Sequence, residues 1–214
     1  PRSSPLGPVA LVAVPLGLVV ARGSISVTRP ARRASPAPIR RAQSLTREVA
    51  ASVRVLGGGV TLLWAVLAVD TLVFAGGLRG FGIVPRTIDG LRGIMFAPFL
   101  HAGTTHLVLN TIGLITLGGL VLLRDRRHFA VVTLLGALVS GLGTWAIGRP
   151  AVHLGASGVI FAYLGYLLLV GVFERRFGAV LLSALAAWGF GGMVWQLLPR
   201  DGRVSWEAHA FGFL

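Results

Sequence analysis

Two separated segments of the chain carry side chains of the types used in nucleophilic catalysis. Ser157 stands in Gly-Ala-Ser-Gly at 155–158, and His209 stands in Ala-His-Ala-Phe-Gly at 208–212. A serine hydroxyl is a weak nucleophile that needs an adjacent base, and imidazole has a suitable pKa for that role near neutral pH. These residues therefore predict a Ser–His nucleophile, provided that the fold brings the two side chains together.

A third segment supplies hydrogen-bond donors. His106 and Asn110 end the sequence His-Ala-Gly-Thr-Thr-His-Leu-Val-Leu-Asn at 101–110. Their spacing of four residues places them on one face of a helix, so the two donors lie close together. Three histidines could in principle bind zinc, but no His-Glu-x-x-His helix or supporting carboxylate accompanies them, and the chain has no cysteine. The sequence therefore predicts neither a metal site nor a cofactor.

The composition places these residues in a membrane. Of the 214 residues, 54% are apolar and only 13% are charged, about half of the roughly 25% that soluble domains carry. Polar side chains within a bilayer are costly, which makes them functional candidates by default. Six helices of about 20 residues would use more than half of the chain.

Six apolar stretches follow the first 50 residues, separated by short breaks that contain charged residues, glycine or proline. They cover approximately residues 55–78, 105–123, 129–147, 156–173, 179–198 and 206 to the end. The last has nine residues, about 13 Å at helical rise, so we expect the chain to end within its sixth helix. The break at 79–101 is long, and its apolar residues and glycines predict an amphipathic structure in the membrane interface.

The first 50 residues are expected to lie apart from this transmembrane domain of 51–214. Gly7 to Ala21 is apolar but short for a span, and 22–50 is rich in Arg, Ser, Pro and Ala, which predicts a flexible cytoplasmic tail. With the N-terminus inside, twelve arginines lie on the cytoplasmic side and six on the other. The arginines mark the ends of apolar runs, so they indicate topology and lipid contact instead of nucleic-acid binding.

In this orientation the second, fourth and sixth helices enter the membrane from the outer face. Asn110, Ser157 and His209 each follow the start of one of these helices by a few residues. All three polar groups are therefore expected at one depth, about a turn below the outer surface, where water can reach them.

The order and spacing of these motifs resemble the rhomboid family of intramembrane serine proteases. The resemblance rests on HAGTTHLVLN at 101–110, GASG at 155–158, AHAFG at 208–212 and the long first loop, and it covers residues from about 55 to 214. It implies an all-α membrane protein, a bundle of six transmembrane helices with the sixth truncated by the chain end. It also implies cleavage of transmembrane segments near their outer ends.

Carried over by position, the resemblance makes Ser157 the nucleophile and His209 the general base. His106 and Asn110, with the backbone N–H of Ser157, would stabilise the oxyanion, and Gly155 is placed with them in the oxyanion and substrate-binding set. The family usually has a tyrosine four residues after the serine, stacked on the catalytic histidine. This chain has Phe161 there, which can stack but lacks the hydroxyl.

Several other polar residues have structural interpretations. Glu207 is two residues from His209, about 200° around a helix, so packing must hold the imidazole instead of this carboxylate. His128 and His153 are expected to face lipid headgroups, and His101 either fixes the long loop or contacts substrate. Asp70 is expected to have a partner on a neighbouring helix or to lie near the surface, with a proton relay as the alternative.

The implied partners are single-spanning membrane proteins, as substrates that dock between the second and fifth helices, and the lipid bilayer; no nucleic acid is implied. The expected location is a bacterial plasma membrane, with the site open to the outer face. A catalytically inactive rhomboid-like binding or quality-control protein would share the fold, although such relatives typically lack the dyad. A transporter would predict inverted repeats and polar residues at the midplane, and neither is evident.

Overall fold

The computed structural model describes residues 37–199 and 204–214 of the chain. Within these ranges the chain forms eight α-helices and no β-strand. The helices are α1 Ala37–Leu72, α2 Ile88–Phe96, α3 Thr104–Gly113, α4 Gly119–Arg124, α5 Arg126–Ile147, α6 Ser157–Glu174, α7 Phe177–Phe190 and α8 Trp206–Phe213. A π-helical turn at Leu114–Gly118 joins α3 to α4, and a 3₁₀ segment at Gly191–Leu197 extends α7.

Five segments in the described part of the chain are long and apolar enough to cross a membrane. They are Ala42–Leu72, Thr104–Arg124, Arg126–Ile147, Ser157–Glu174 and Phe177–Leu197. They correspond to the first five apolar stretches of the sequence. The sixth stretch forms α8, whose eight residues span about 12 Å, so the count of six spans stays a prediction.

Helix α6 occupies the centre of the bundle. Of the residues in its span, 61% are buried, compared with 17% for the α1 span and 11% for the α7 span, because α5, α7 and α8 pack around α6. Large apolar side chains on the outer helices remain exposed, as lipid contact requires; examples are Leu72, Phe177 and Trp188. The hydrophobic core accordingly lies along α6, the helix that begins at Ser157.

The connection between α1 and α3 is ordered and fastened to the rest of the bundle. Thr87 caps α2 by accepting a hydrogen bond from the backbone N–H of Gly90. Ile83 and His153 pair their backbones as an isolated antiparallel bridge, with N–H to O distances of 2.8 and 2.9 Å. The Gly155 N–H donates to the Ala97 carbonyl at 2.8 Å. This connection therefore fixes the segment that leads directly into α6.

Helix α1 starts earlier than the sequence indicated. It is helical from Ala37, so the expected flexible tail of 22–50 includes 14 residues, 37–50, that belong to a helix. These residues include Ala, Arg, Gln, Leu and Glu, which favour helix and can extend a span into the aqueous layer. The apolar segment at 7–21 and the rest of the tail lie outside the described residues.

Asp70 has partners close to it in sequence. Its side chain is 2% exposed and accepts hydrogen bonds from the Leu78 N–H at 2.9 Å and from Arg79 Nε at 3.0 Å. The partner expected for Asp70 is therefore present, but it comes from the turn after α1 instead of from a neighbouring helix. A buried carboxylate at a helix end is stabilised by such pairing.

Candidate active site

Ser157 is the first residue of α6 and is partly exposed. Its backbone N–H has no intrahelical acceptor at that position, since the first N–H groups of a helix lack partners within it. The residue before it, Ala156, is buried, and the residue after it, Gly158, is in contact with α8. Ser157 thus lies at one end of the bundle, at the N-terminus of the most buried helix.

His209 lies in α8 and is 4% exposed. Its ring stacks on Phe161, with the ring centroids 4.2 Å apart and the planes 17° apart. Phe161 is four residues after Ser157 and therefore lies on the same face of α6. Because helical side chains lean towards the N-terminus of their helix, the Phe161 ring extends back towards Ser157. The stack accordingly places the His209 ring on the Ser157 face of α6.

Two glycines allow α6 and α8 to approach each other. A Cβ on Gly212 would overlap the backbone carbonyl of Gly158, and a Cβ on Gly158 would lie 2.6 Å from Ser140 Cβ and 3.3 Å from the Ala208 carbonyl oxygen. Small residues at a helix crossing permit this backbone contact in membranes. Side chains at either glycine would force apart the two helices that carry Ser157 and His209.

The His209 ring is oriented by a backbone group as well as by stacking. Its Nδ1 lies 3.4 Å from the Gln196 carbonyl oxygen, a long hydrogen bond. A carbonyl can only accept, so Nδ1 carries the proton in this arrangement and Nε2 keeps its lone pair. In the described part of the chain, no hydrogen bond joins the Ser157 hydroxyl to the His209 ring. Such contacts are often loose without substrate and tighten in the reacting complex.

His106 lies directly against the turn before Ser157. Gly155 has φ +115°, a conformation that favours glycine, and a Cβ there would be 2.6 Å from His106 Cε1 and 2.8 Å from Nε2. The ring therefore occupies the space that a side chain at 155 would need. The resemblance placed His106 and Gly155 together in the oxyanion and substrate-binding set, and in the structure these two residues are in contact.

Asn110 is 3% exposed, and its Nδ2 donates to the His106 carbonyl at 2.8 Å. One N–H of the amide is thereby used within α3, while the second remains for another acceptor. Its Oδ1 has no hydrogen-bond partner among the described residues. The side chain is consequently held one turn below His106, on the same face, as the spacing predicted.

His101 is buried behind His106. It is 2% exposed, and the two rings meet edge to face with centroids 5.2 Å apart. Neither of its ring nitrogens forms a hydrogen bond within the described residues; the Phe99 backbone faces the ring without meeting hydrogen-bond geometry. Burial, together with repulsion from His106, lowers the pKa of His101 to about 4. The ring is therefore packed behind His106, at the start of the helix that carries the proposed donors.

His153 is not at the lipid surface, so the sequence interpretation of that residue was wrong. It is 4% exposed, with Nδ1 at 2.6 Å from Ser205 Oγ and Nε2 at 3.0 Å from the Arg149 carbonyl oxygen. Its ring is satisfied by Ser205, 52 residues away in sequence, which no local pattern indicates. His128, by contrast, is exposed, and its Nδ1 lies 2.8 Å from the Tyr166 hydroxyl.

The Glu207 side chain points away from His209, as the angle of about 200° around the helix predicted, and lies close to His153. The carboxylate is 1% exposed; its Oε1 accepts from the Arg149 N–H at 3.1 Å and lies 3.6 Å from Arg149 Nε, while Oε2 is 4.0 Å from His153 Nδ1. We call Arg149, His153, Ser205 and Glu207 the α8 cluster. The sequence analysis missed this cluster, and the one available signal was an acidic residue within an apolar helix.

Comparison with known proteins places this site within a recognised domain. The Rhomboid domain family model matches residues 89–214, a range that contains α3, α6 and α8 with all of the candidate side chains. No solved structure matches the chain significantly.

Related chains occur in mycobacteria. An uncharacterized protein of Mycobacterium bovis and one of Mycobacterium tuberculosis are each 36% identical to this chain over 204 residues, which covers 89% of this chain and 82% of theirs. An uncharacterized protein of Mycobacterium leprae is 38% identical over 175 residues, covering 75% of this chain and 69% of its own. The similarity therefore extends over most of the chain.

Proposed function

The chain belongs to the rhomboid family, and from that premise we propose that it is a serine endopeptidase that cleaves transmembrane segments of membrane proteins. Membership in the family and the all-α membrane fold are confirmed, and the protein is an integral membrane protein. Ser157 acts as the nucleophile and His209 as the general base in this proposal. No cofactor is needed for the reaction.

The observation that carries the proposal is the parallel stack of Phe161 on His209 beside Ser157. It supports a reaction in which His209 Nε2 takes the proton from the Ser157 hydroxyl as the oxygen attacks the scissile carbonyl. The Gln196 carbonyl, which accepts from Nδ1, supports this division of the two ring nitrogens. The protonated His209 then gives its proton to the leaving amine, and a water molecule hydrolyses the acyl-enzyme by the same route.

When Ser157 attacks, the carbonyl oxygen of the scissile bond becomes an oxyanion that needs hydrogen-bond donors close to it. The proposed donors are the backbone N–H of Ser157, the Asn110 amide and the His106 ring. Contact between His106 and Gly155 supports this set, because it places the ring beside the turn that presents Ser157.

Substrate access is proposed between α3 and α7, with a single-spanning protein as the substrate. The α7 segment packs mainly on α6, and only 11% of the residues in its span are buried, so its other faces are open to a substrate helix. Leu109 and Ile112 on α3 and Trp188 on α7 are exposed large apolar side chains suited to a transmembrane helix. The location proposed is a bacterial plasma membrane, with the N-terminus cytoplasmic and the site open to the outer face.

The test is cleavage of a single-spanning substrate in proteoliposomes by the chain and by its Ser157→Ala variant. We expect cleavage near the outer end of the substrate helix by the wild-type chain and none by the variant. Equal cleavage by both proteins, or by neither, would remove the protease assignment. Substrate capture without cleavage by both proteins would favour the alternative, a catalytically inactive rhomboid-like binding or quality-control protein.

A further inference from the structure

Helix α8 packs against both α5 and α6. Towards its C-terminal end, Gly212 packs on Gly158. The position of His209, three residues earlier, also requires a fixed N-terminal end.

The α8 cluster supplies that fixed end. Three residues at or just before the start of α8 contact the connection between α5 and α6. The Val204 carbonyl accepts a hydrogen bond from the Arg149 guanidinium, and the Ser205 hydroxyl is hydrogen-bonded to His153. The Glu207 carboxylate accepts a hydrogen bond from the Arg149 backbone N–H. Glu207 is the charged member from α8 and is 1% exposed. A carboxylate buried to this extent is stable only with a charged or hydrogen-bonding partner, which restricts where the helix can sit.

The partners of Glu207 are also the residues that lead to the nucleophile. The segment from Arg149 to Ala156 ends at Ser157, and its His153 backbone is paired with Ile83 in the loop before α2. Movement of Glu207 away from Arg149 would therefore change the position of α8 relative to the segment that presents Ser157. The carboxylate itself lies on the opposite side of α8 from the His209 ring.

We propose that Glu207 is a positioning residue that, through Arg149 and His153, fixes α8 and so sets the distance between His209 and Ser157. The proposal rests on the protease function proposed above. Glu207 touches no reacting atom in it. Its effect is on geometry, and a displacement of about 1 Å at the reacting groups can cost about 100-fold in rate.

Glu207→Ala is the variant that tests the proposal, and Glu174→Ala is its matched control. Glu174 also pairs with an arginine, Arg124, but at the far end of α6, about 26 Å from Ser157 at helical rise. We expect Glu207→Ala to lower kcat by about 10- to 100-fold with little change in KM. Glu174→Ala should leave kcat close to the wild-type value. Glu207→Gln, which can still accept from the Arg149 N–H, should restore most of the rate.

A second readout does not depend on activity. The chain has no cysteine, so spin labels at Leu134→Cys on α5 and Leu214→Cys after α8, both exposed positions, report the placement of α8. Glu207→Ala should broaden this distance distribution, and Glu174→Ala should not. If Glu207→Ala does not fold, Glu207→Asp serves in its place, because it keeps the buried charge but withdraws the carboxylate from Arg149 by one methylene.

Two results would overturn the proposal: a distance distribution for Glu207→Ala as narrow as that of the control, or a kcat reduced no more than the control's. A Ser157→Ala variant that matches the wild type in cleavage would instead refute the protease function. In that case the spin-label distances alone decide whether Glu207 fixes α8.

Discussion

Phe161 on α6 and His209 on α8 stack with their ring planes 17° apart and their centroids 4.2 Å apart. The contact joins the two helices that carry the proposed nucleophile and base, and it does so without a hydroxyl or a carboxylate. The imidazole is held by an aromatic face on one side and a distant backbone carbonyl at Nδ1. Packing therefore performs the orienting role that a carboxylate has in a catalytic triad.

Replacement of Phe161 by leucine should slow cleavage moderately. Leucine retains apolar volume but loses the aromatic stack, a contact worth about 0.5–1.5 kcal/mol, so we expect kcat to fall by about 2- to 12-fold. Phe161→Tyr keeps the ring and should retain wild-type activity within about threefold. Steady-state kinetics on one transmembrane substrate measures both, and equal rates for leucine and phenylalanine would show that the stack has no role.

Covalent labelling identifies the nucleophile directly. Within the described part of the chain, two serine–histidine pairs must be distinguished, the proposed Ser157 with His209 and the hydrogen-bonded Ser205 with His153. A fluorophosphonate probe should label the detergent-solubilised chain, with the adduct on the peptide that contains Ser157, and His209→Ala should prevent labelling. An adduct on Ser205 would contradict the assignment, since His153 is then the activating base.

Asn110→Ala should lower kcat by about 100- to 1,000-fold without changing the fold. Loss of one oxyanion donor typically costs about 2.7–4 kcal/mol of transition-state stabilisation. Among the described residues Oδ1 has no hydrogen-bond partner and Nδ2 donates only to the His106 carbonyl, so a single hydrogen bond is lost with the side chain. Single-turnover kinetics separates this effect from substrate binding, and a change confined to KM would exclude the oxyanion role.

Gly212→Val should abolish activity by separating α6 from α8. The new Cβ would meet the Gly158 backbone, which cannot rotate away as a side chain can, so the helices themselves must move. Gly57→Val is the control, because a Cβ at that position on α1 meets nothing within 4 Å. Cleavage and thermal unfolding are measured for both, and an active Gly212→Val protein would show that this contact does not set the site.

His101 should make the folded protein less stable in mild acid. Its pKa in the folded chain is about 4, below the ordinary value of 6.5, so the unfolded chain binds the proton more readily. The free energy of unfolding then decreases as the pH falls from about 6.5 to 4, and this contribution is complete above that window. The unfolding temperature of His101→Gln, measured from pH 7.5 to 4.5, should fall less than that of the wild type. Parallel curves would contradict this role.

The sequence determined the class of protein and named the side chains that are proposed for catalysis. Apolar stretches of membrane length identified the spans, because a bilayer requires each backbone polar group to be satisfied within its own helix. Local spacing also placed Phe161 on the Ser157 face of α6 and turned Glu207 away from His209, since both follow from the angle of 100° per helical residue. Helix ends were less certain, and α1 begins at Ala37 instead of near residue 55.

Only the tertiary structure decided how the helices hold one another. The burial of His153 depends on Ser205 and Arg149, and the contact of Gly212 with Gly158 joins residues more than 50 positions apart. A sequence pattern shows which faces of a helix are apolar, but it does not show which distant residue fills the space beside a buried polar group. The side chains proposed for catalysis can therefore be named from sequence, whereas the groups that position them are found only where the folded helices meet.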